Sequence, residues 1–198
     1  MAPVTDPIGV VLAGGAGRRL GGSKAKVRLE GRPLIAYPLD AMWRALGSVA
    51  VVAKRDSELP PLPGVTIWIE PDEPRHPLAG IVHALRQAAG RSVLACATDL
   101  PLVSERLIRQ LADADPGAAP AVVACVDGRP QPALARYDAA ALEPLAAALD
   151  RPARPLTEVV LGIGPKLVEV GDAEELFNVN SPEDLLHVRA SLQRRAPT

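Results

Sequence analysis

The chain has 198 residues, 48% of them apolar, and a formal net charge of −1, which suits a single domain over residues 1–198 with one continuous core. A near-neutral charge with 3% aromatic residues argues against a nucleic-acid binder, which presents a basic surface with stacking side chains. The sequence lacks a membrane-spanning run of ~20 apolar residues and the pattern of a signal peptide, so we expect a cytoplasmic protein with no membrane partner.

Short apolar runs rich in β-branched residues alternate with segments of helical periodicity. The predicted strands are 8–12, 49–53, 65–69, 92–96, 121–126 and 166–170. The predicted helices are 34–46, 78–89, 104–112, 139–149 and 182–193. Alternation of this kind implies parallel strands joined by crossover helices. We therefore predict an α/β fold, a single-domain Rossmann-like three-layer sandwich with helices on both faces of a mostly parallel central sheet.

Two predicted helices carry signals at their starts. Pro38 interrupts the first one, and because a mid-helix proline removes a hydrogen bond, this helix is expected to bend or to start late. The last one begins with Ser181 as N-cap and Pro182 at the first helical position. Cys96 and Cys125 lie in apolar runs without metal-type spacing, so we expect both to be buried reduced thiols.

Glycines and basic residues directly follow the first predicted strand. Residues 10–24 read VVLAGGAGRRLGGSK. The basic residues between positions 18 and 32 are Arg18, Arg19, Lys24, Lys26, Arg28 and Arg32, against the single acid Glu30. Glycines let backbone N–H groups approach an anion, and basic side chains neutralise its charge. This segment therefore predicts a polyphosphate site.

Other interpretations of the glycine segment compete with a polyphosphate site. A dinucleotide-binding fingerprint fails, because Leu20 occupies the place of its third glycine. A Walker A loop also fits poorly, since Ser23 and Lys24 stand in reversed order. A flexible glycine turn with a solvated basic face stays open as an alternative.

Two further segments carry polar groups at expected strand or helix ends. Asp99 follows the predicted strand 92–96 and stands two residues before Pro101, where a carboxylate could hold a hard cation or simply cap a turn. Asn178 and Asn180 are two residues apart, so in an extended segment both side chains face the same side. They could share a ligand or satisfy backbone groups at the entrance of the last helix.

Taken together, these motifs resemble the molybdenum cofactor guanylyltransferases, a family of nucleotidyltransferases. The matching segments are LAGG at residues 12–15, a distal lysine at Lys24, PLAG at 77–80, TDLP at 98–101 and FNVNSPED at 177–184. The resemblance covers nearly the whole chain. It departs from the family at Ser23, where an aspartate is common, and at Lys54, near which the family has an asparagine.

The resemblance implies a role for each matching residue. Arg19, Lys24 and Asp99 would be catalytic, and Asp99 would bind Mg²⁺. The nucleotide would be held by Leu12, Ala13, Gly14, Gly15, Lys24, Lys54, Asp72, Pro77, Leu78, Ala79, Gly80 and Asp99. The acceptor would contact Arg129, Gln131, Asn178 and Asn180, with Asn180 alternatively a second Mg²⁺ ligand.

The activity that the resemblance implies is the transfer of GMP from GTP to the terminal phosphate of molybdopterin, with release of pyrophosphate. Besides these two substrates, transient contacts with molybdopterin-handling proteins or molybdoenzyme chaperones are expected. Gly14 favours guanine, because cytidylyltransferase relatives more often have alanine there. Two alternatives remain open: a related enzyme that uses CTP or another phosphorylated acceptor, such as a sugar phosphate or small acid, and a non-catalytic nucleotide-binding regulator.

Overall fold

The computed structural model describes residues 6–14 and 22–195. Its strands are β1 (Ile8–Leu12), β2 (Arg28–Leu29), β3 (Arg32–Pro33), β4 (Val49–Lys54), β5 (Thr66–Glu70), β6 (Val93–Ala97), β7 (Ala121–Val126), β8 (Arg129–Tyr137) and β9 (Lys166–Glu169). Its α-helices are α1 (Ala36–Ala45), α2 (Pro77–Gln87), α3 (Glu105–Asp113), α4 (Leu142–Leu149), α5 (Leu156–Leu161) and α6 (Pro182–Arg195). Short 3₁₀ turns span Lys24–Lys26, Ala139–Ala141 and Ala173–Leu176.

A seven-stranded sheet in the order β5-β4-β1-β6-β8-β7-β9 forms the centre of the described chain, beside a small β2-β3 hairpin. The pairs β5-β4, β4-β1, β1-β6 and β7-β9 are parallel. In the pairs β6-β8 and β8-β7 the strands are antiparallel. The predicted mostly parallel sheet is therefore confirmed, with β8 as the strand that runs the other way.

Two apolar cores lie on the two faces of this sheet, because successive strand residues point to opposite sides. Val11 of β1 belongs to the core that also contains Met42 of α1 and Leu107 of α3. The adjacent Val10 belongs to the core with Ile81 of α2 and Leu145 of α4. Helices thus cover both faces, which confirms the predicted three-layer sandwich.

Every predicted strand and helix is present, with bounds shifted by three residues or fewer. Helix α1 starts late, as expected, and Pro38 falls in its first turn, where backbone N–H groups have no intrahelical acceptor. At α6, Asp184 N donates to Ser181 Oγ at 3.2 Å and Ser181 N donates to Asp184 Oδ2 at 2.8 Å. This reciprocal capping pair confirms the predicted start. Cys96 and Cys125 are buried free thiols, as expected.

Strand β8 was not among the predicted strands. Pro130 and Pro132 cause this error, because proline cannot donate to a sheet ladder and normally excludes a central strand. In the structure, β6 pairs only with the part of β8 from Leu134 to Tyr137, whereas the proline-containing part pairs with β7 alone. The short helix α5 was also missed. No helix among the described residues is long and apolar enough to cross a membrane.

Candidate active site

The carboxyl ends of β1, β4, β5 and β6 border a cavity of about 510 Å³. This is the edge at which open parallel sheets bind ligands, and the volume suits a small molecule. The cavity walls include Leu12, Gly14, Lys24, Lys54, Glu70, Pro77, Gly80, Asp99 and Asn178. Ala133 of β8 also reaches it.

A compact polar cluster forms around the ammonium group of Lys24. Lys24 Nζ donates to Asp99 Oδ2 at 2.6 Å and to Asn180 Oδ1 at 2.6 Å. The side chains of Lys24 and Asp99 are only 16% and 18% exposed, so water screens this ion pair weakly. Asp99 Oδ1 is buried and has no hydrogen-bond partner among the described residues. A ligand that reached this oxygen would satisfy a hydrogen-bonding capacity that the described residues leave unused.

Backbone hydrogen bonds bring the three segments of this cluster together. Val179 N donates to the carbonyl of Asp99 at 2.9 Å, which places Asn178 and Asn180 beside the end of β6. Thr98 Oγ1 donates to the carbonyl of Leu12 at 2.9 Å, which joins the ends of β6 and β1. These contacts hold the cluster next to the carboxyl end of β1.

Glu175 fastens the segment before Asn178 to the start of α3. Its Oε2 accepts hydrogen bonds from Ser104 N at 3.0 Å and Ser104 Oγ at 2.6 Å, and its Oε1 accepts from Arg106 at 2.9 Å. Glu175 is 3% exposed, and Ser104 is also the N-cap of α3. The chain that carries both asparagines is thus anchored on one side by Glu175 and on the other by Asp99.

A second buried ion pair in the cavity wall joins Lys54 and Glu70. Lys54 Nζ lies 3.6 Å from Glu70 Oε1, and both side chains are 5% exposed. Lys54 also donates to the carbonyls of Pro71 at 2.7 Å and Pro74 at 3.4 Å. Burial raises the pKa of Glu70 above its ordinary value, and the positive charge of Lys54 opposes part of that rise. Glu70 Oε2 is buried without a hydrogen-bond partner among the described residues.

Gly14 and Gly80 lie beside the Glu70 carboxylate in the wall of the cavity. A Cβ added at Gly14 would lie 3.5 Å from Glu70 Oε1, and one at Gly80 would lie 3.5 Å from Glu70 Oε2 and 3.3 Å from Leu12 Cδ2. Side chains at these positions would fill the room beside the carboxylate. The absence of side chains at Gly14 and Gly80 therefore leaves no protein group pressed against these two oxygens from the cavity side.

Comparison with protein families gives a match over residues 9–163 to the MobA-like NTP transferase domain. The matched region includes the strands that border the cavity and both Lys24 and Asp99. This chain belongs to that family. It is accordingly a nucleotidyltransferase, as the motifs predicted.

Curated relatives match this nucleotidyltransferase along almost its whole length. It is 33% identical to the molybdenum cofactor guanylyltransferase of Cereibacter sphaeroides over 193 residues, which covers 95% of this chain and 98% of the relative. It is 34% identical to the molybdenum cofactor guanylyltransferase of Rhodobacter capsulatus over 197 residues, which covers 96% of this chain and 98% of the relative.

A solved structure shares the fold of this nucleotidyltransferase. Molybdopterin-guanine dinucleotide biosynthesis protein A from Archaeoglobus fulgidus superposes with a TM-score of 0.75 at 22% identity, covering 94% of this chain and 99% of that protein. The predicted fold class is confirmed by this likeness as well as by the sheet itself.

Most residues expected to bind the nucleotide line the cavity. They are Leu12, Gly14, Lys24, Lys54, Pro77, Gly80 and Asp99. Ala13, Leu78 and Ala79 are buried next to them. Asp72 is exposed on the loop after β5 and is not among the described residues that line the cavity. Gly15 and Arg19 lie outside the described residues.

The residues expected on the acceptor side are only partly brought together. Asn178 lines the cavity and Asn180 binds Lys24. Arg129 and Gln131 lie on the first half of β8, whose Ala133 reaches the cavity. Arg129 is exposed and Gln131 is half-buried.

Glu70 was missed as a candidate site residue, although a signal for it was present. It directly follows the predicted strand 65–69, just as Asp99 follows the predicted strand 92–96. Asp72 was chosen in its place two residues further on. Applying the strand-end criterion to both segments would have found the buried carboxylate.

Proposed function

We propose that this nucleotidyltransferase transfers GMP from GTP to the terminal phosphate of molybdopterin and releases pyrophosphate. One observation supports the proposal: two different polar groups line a single cavity. One is the buried carboxylate of Glu70, and the other is the cation site of Lys24 and Asp99, which Asn180 completes by accepting from Lys24. A nucleotide has two matching parts, because its base carries hydrogen-bond donors and its tail carries phosphates. The names of the curated relatives support molybdopterin as the acceptor.

The Glu70 carboxylate supports guanine as the base. Guanine presents its N1–H and its 2-amino group as neighbouring donors, and the two oxygens of one carboxylate can accept from both. The corresponding edge of cytosine offers a single amino donor next to an acceptor, which an ionised carboxylate repels. The room that Gly14 and Gly80 leave beside Glu70 is consistent with a flat purine approaching it.

The phosphates of the nucleotide belong, in this proposal, beside Lys24. Its ammonium group is positioned by Asp99 and Asn180 and lies at the carboxyl ends of the strands. Gly15 and Arg19 follow β1 in the sequence, and we assign them to the same phosphate site. Backbone N–H groups of the glycines and the basic side chains would there neutralise a polyphosphate.

The residues around Asp99 fit a magnesium ion. Asp99 Oδ1 is buried without a partner among the described residues, and Asp99 Oδ2 and Asn180 Oδ1 already surround one cation, the Lys24 ammonium. The described part of the chain contains no cluster of three or more His, Cys, Asp or Glu residues that could hold a metal. Magnesium needs none, since it commonly binds one or two protein oxygens with water and substrate phosphates completing its shell. When bound, it would withdraw charge from the phosphate oxygens.

In this reaction the protein positions the two substrates and neutralises the charge of their phosphates. A terminal phosphate oxygen of molybdopterin attacks the α-phosphorus of GTP in line, a new P–O bond forms, and the bond to the β-phosphate oxygen breaks as pyrophosphate leaves. The attacking oxygen is already ionised, so the step needs no general base. Lys24 lowers the repulsion between the two anions and stabilises charge that moves towards pyrophosphate.

The acceptor would approach from the side of Asn178 and Asn180. Both amides lie on the segment that Glu175 and Asp99 hold in place, so they can orient the acceptor phosphate without moving. Arg129 and Gln131 of β8 would contact the acceptor further out. We place this reaction in the cytoplasm, with transient contacts to molybdopterin-handling proteins that deliver the acceptor or receive the product.

A pyrophosphate-release assay tests this function. GTP, CTP, ATP and UTP are each combined with Mg²⁺ and with molybdopterin, a sugar 1-phosphate or no acceptor. We expect release only from GTP with molybdopterin, together with formation of the guanine dinucleotide by mass spectrometry. The Asp99→Asn variant serves as the inactive control.

Each other result contradicts one part of the proposal. Release from CTP at an equal rate would contradict guanine selection at Glu70. Faster release with the sugar 1-phosphate would contradict molybdopterin as the acceptor. Binding of GTP without release for any acceptor would identify a nucleotide-binding regulator.

A further inference from the structure

We propose that Lys54 is a positioning residue, which serves as the counter-charge and anchor of the buried Glu70 carboxylate and touches no nucleotide atom itself. The inference rests on the proposed function only in taking the base as the group that Glu70 binds. It gives Lys54 a role different from direct nucleotide contact, although Lys54 lines the cavity.

Most of the hydrogen-bonding capacity of Lys54 is used within the protein. An ammonium group has three N–H donors. Lys54 Nζ has three acceptors around it, the carbonyl of Pro71 at 2.7 Å, the carbonyl of Pro74 at 3.4 Å and Glu70 Oε1 at 3.6 Å. Two of the three N–H donors therefore bind carbonyls, and because the side chain is only 5% exposed, the nearest acceptor for the third among the described residues is the Glu70 carboxylate. Lys24, by contrast, is three times as exposed, at 16%.

Glu70 depends on Lys54 for its charge. Burial alone raises the pKa of Glu70, and the positive charge of Lys54 is what opposes this rise. Among the described residues, Lys54 is the cationic group within 4.0 Å of the Glu70 carboxylate. Without Lys54 the carboxylate would have no nearby charge to offset its burial, and it would bind a proton at a higher pH.

The other ionisable groups on the elements around Glu70 do not replace Lys54. Arg75, before α2, is exposed and pairs with Asp56 at 2.6 Å. The Nδ1 atom of His76 accepts a hydrogen bond from Leu78 N at 3.2 Å as the cap of α2. Further along α2, burial lowers the pKa of His83 and so favours its neutral form. Arg86 lies in the last turn of α2, away from the end of the helix where Gly80 meets Glu70.

The protonation state of Glu70 decides which base it can bind. An ionised carboxylate only accepts, so it suits the two adjacent donors of guanine. A protonated carboxyl turns one oxygen into a donor, which then faces a donor of guanine. Loss of Lys54 is therefore expected to weaken GTP binding most where Glu70 is protonated, and binding should recover as the pH rises and the carboxylate forms.

The test compares Lys54→Met and Lys54→Arg with the unchanged protein in two measurements. The first follows the ¹³C carboxyl signal of Glu70 from pH 5 to pH 9.5 without nucleotide, assigned with Glu70→Gln. We expect its titration to move upward by at least about one pH unit in Lys54→Met and to stay near the original in Lys54→Arg. This measurement needs no nucleotide, so it tests the inference even if the donor is not GTP.

The second measurement is the Kd for GTP over the same pH range, with KM and kcat at each pH. In Lys54→Met we expect a loss of roughly tenfold at pH 7 that shrinks by pH 9, carried by KM rather than kcat. The control is Lys166→Met, which removes an exposed lysine of β9 that donates to the carbonyl of Asp115 at 2.6 Å, and it should leave the profile unchanged. An equal loss at every pH, or an unmoved Glu70 titration, would overturn the inference.

A double-mutant cycle covers the case in which Lys54→Met disturbs the loop that holds Pro71 and Pro74. If Lys54 acts through Glu70, adding Lys54→Met to Glu70→Gln causes no further loss of GTP affinity. A further loss of the same size as in the single variant would mean that Lys54 acts directly or through the loop, and would overturn the inference.

Discussion

Asp99 combines burial, an ion pair and an unpartnered oxygen in one side chain, which few residues of the cavity do. Asp99→Asn keeps its shape but removes the charge that binds Lys24 and would bind Mg²⁺. We expect pyrophosphate release to fall by at least about 10²-fold, with the fold intact by circular dichroism. Asp40→Asn, which changes an exposed carboxylate paired with Arg32, is the matched control. Unchanged turnover of Asp99→Asn at saturating Mg²⁺ would remove Asp99 from the metal site.

Lys24 Nζ lies between Asp99 Oδ2 and Asn180 Oδ1, the two oxygens of the proposed cation site. In Lys24→Met we therefore expect two opposite changes: kcat/KM falls by about 10²–10³-fold, because transition-state charge is no longer neutralised, while Mn²⁺ binding without nucleotide becomes tighter. Steady-state kinetics and electron paramagnetic resonance of Mn²⁺ measure the two effects. Lys166→Met, which changes an exposed lysine outside the cavity lining, should alter neither. Weaker Mn²⁺ binding in Lys24→Met would contradict the assignment of Asp99 and Asn180 as a shared cation site.

A substitution at Gly80 is expected to affect thermal stability and GTP binding differently. Alanine is favoured over glycine inside a helix by up to about 1 kcal/mol, and the nearest atom to the new methyl group is the mobile Leu12 Cδ2, at 3.3 Å. Gly80→Ala should therefore keep or slightly raise Tm. Because the methyl group also stands 3.5 Å from Glu70 Oε2, GTP binding should weaken by roughly tenfold.

The control for Gly80→Ala is Gly47→Ala, whose added methyl group meets nothing within 4 Å. Isothermal titration with GTP and thermal melting are run on both variants. Full GTP affinity in Gly80→Ala would show that the base does not lie against this glycine.

Sequence reasoning identified single residues of the site but not their contacts. Lys24, Asp99 and Asn180 were each marked by local context, a glycine segment, a strand end and a helix entrance. Their meeting depends on pairings 75 and 156 residues apart along the chain, which no local pattern reports. Glu70 was missed although it directly follows the predicted strand 65–69. The structure adds its partner Lys54 and its burial beside α2, which no local pattern reports.

At the scale of elements, the 3₁₀ turn Ala173–Leu176 and the start of α3 act as one unit through Glu175. Glu175→Gln places an amide N–H₂ among three donors that the carboxylate accepted, so we expect a loss of about 1–3 kcal/mol in the free energy of unfolding. Because the turn leads into Asn178 and Asn180, KM for the acceptor should rise more than KM for GTP. Urea unfolding and kinetics with each substrate varied give the two results.

Glu105→Gln is the matched control for Glu175→Gln, since Glu105 lies on the same helix start but forms an exposed pair with Arg109 at 3.0 Å. It should cost less than about 0.5 kcal/mol. Equal stability losses in the two variants would contradict the anchoring role of Glu175, and so would equal rises in the two KM values.

Elements with strong periodicity were predicted from the sequence, and those with conflicting signals were not. The strands around the cavity are short apolar runs, most of them rich in β-branched residues, and α6 carries a complete capping pattern, so local chemistry was sufficient for them. Strand β8 contains Pro130 and Pro132, which local rules assign to a connection. Only the sheet explains why they are tolerated, because that half of β8 has a partner on one side alone.

For the whole molecule, the strand order explains where the cavity lies. Strands β4 and β5 lie on one side of β1, and β6, which follows them in the chain, pairs with the other side of β1. The connections therefore diverge at β1, and a crevice opens there between the strand ends. The alternation of strands and helices predicted this class of fold. The order itself results from long-range pairing, which composition and periodicity do not encode.

The crystal structure of the protein with Mg²⁺ and a non-reactive GTP analogue tests the nucleotide site most directly. We expect the guanine edge within hydrogen-bond distance of both Glu70 oxygens and the phosphates beside Lys24 and Asp99. A base bound away from Glu70, or phosphates bound away from Lys24 and Asp99, would contradict the proposed site.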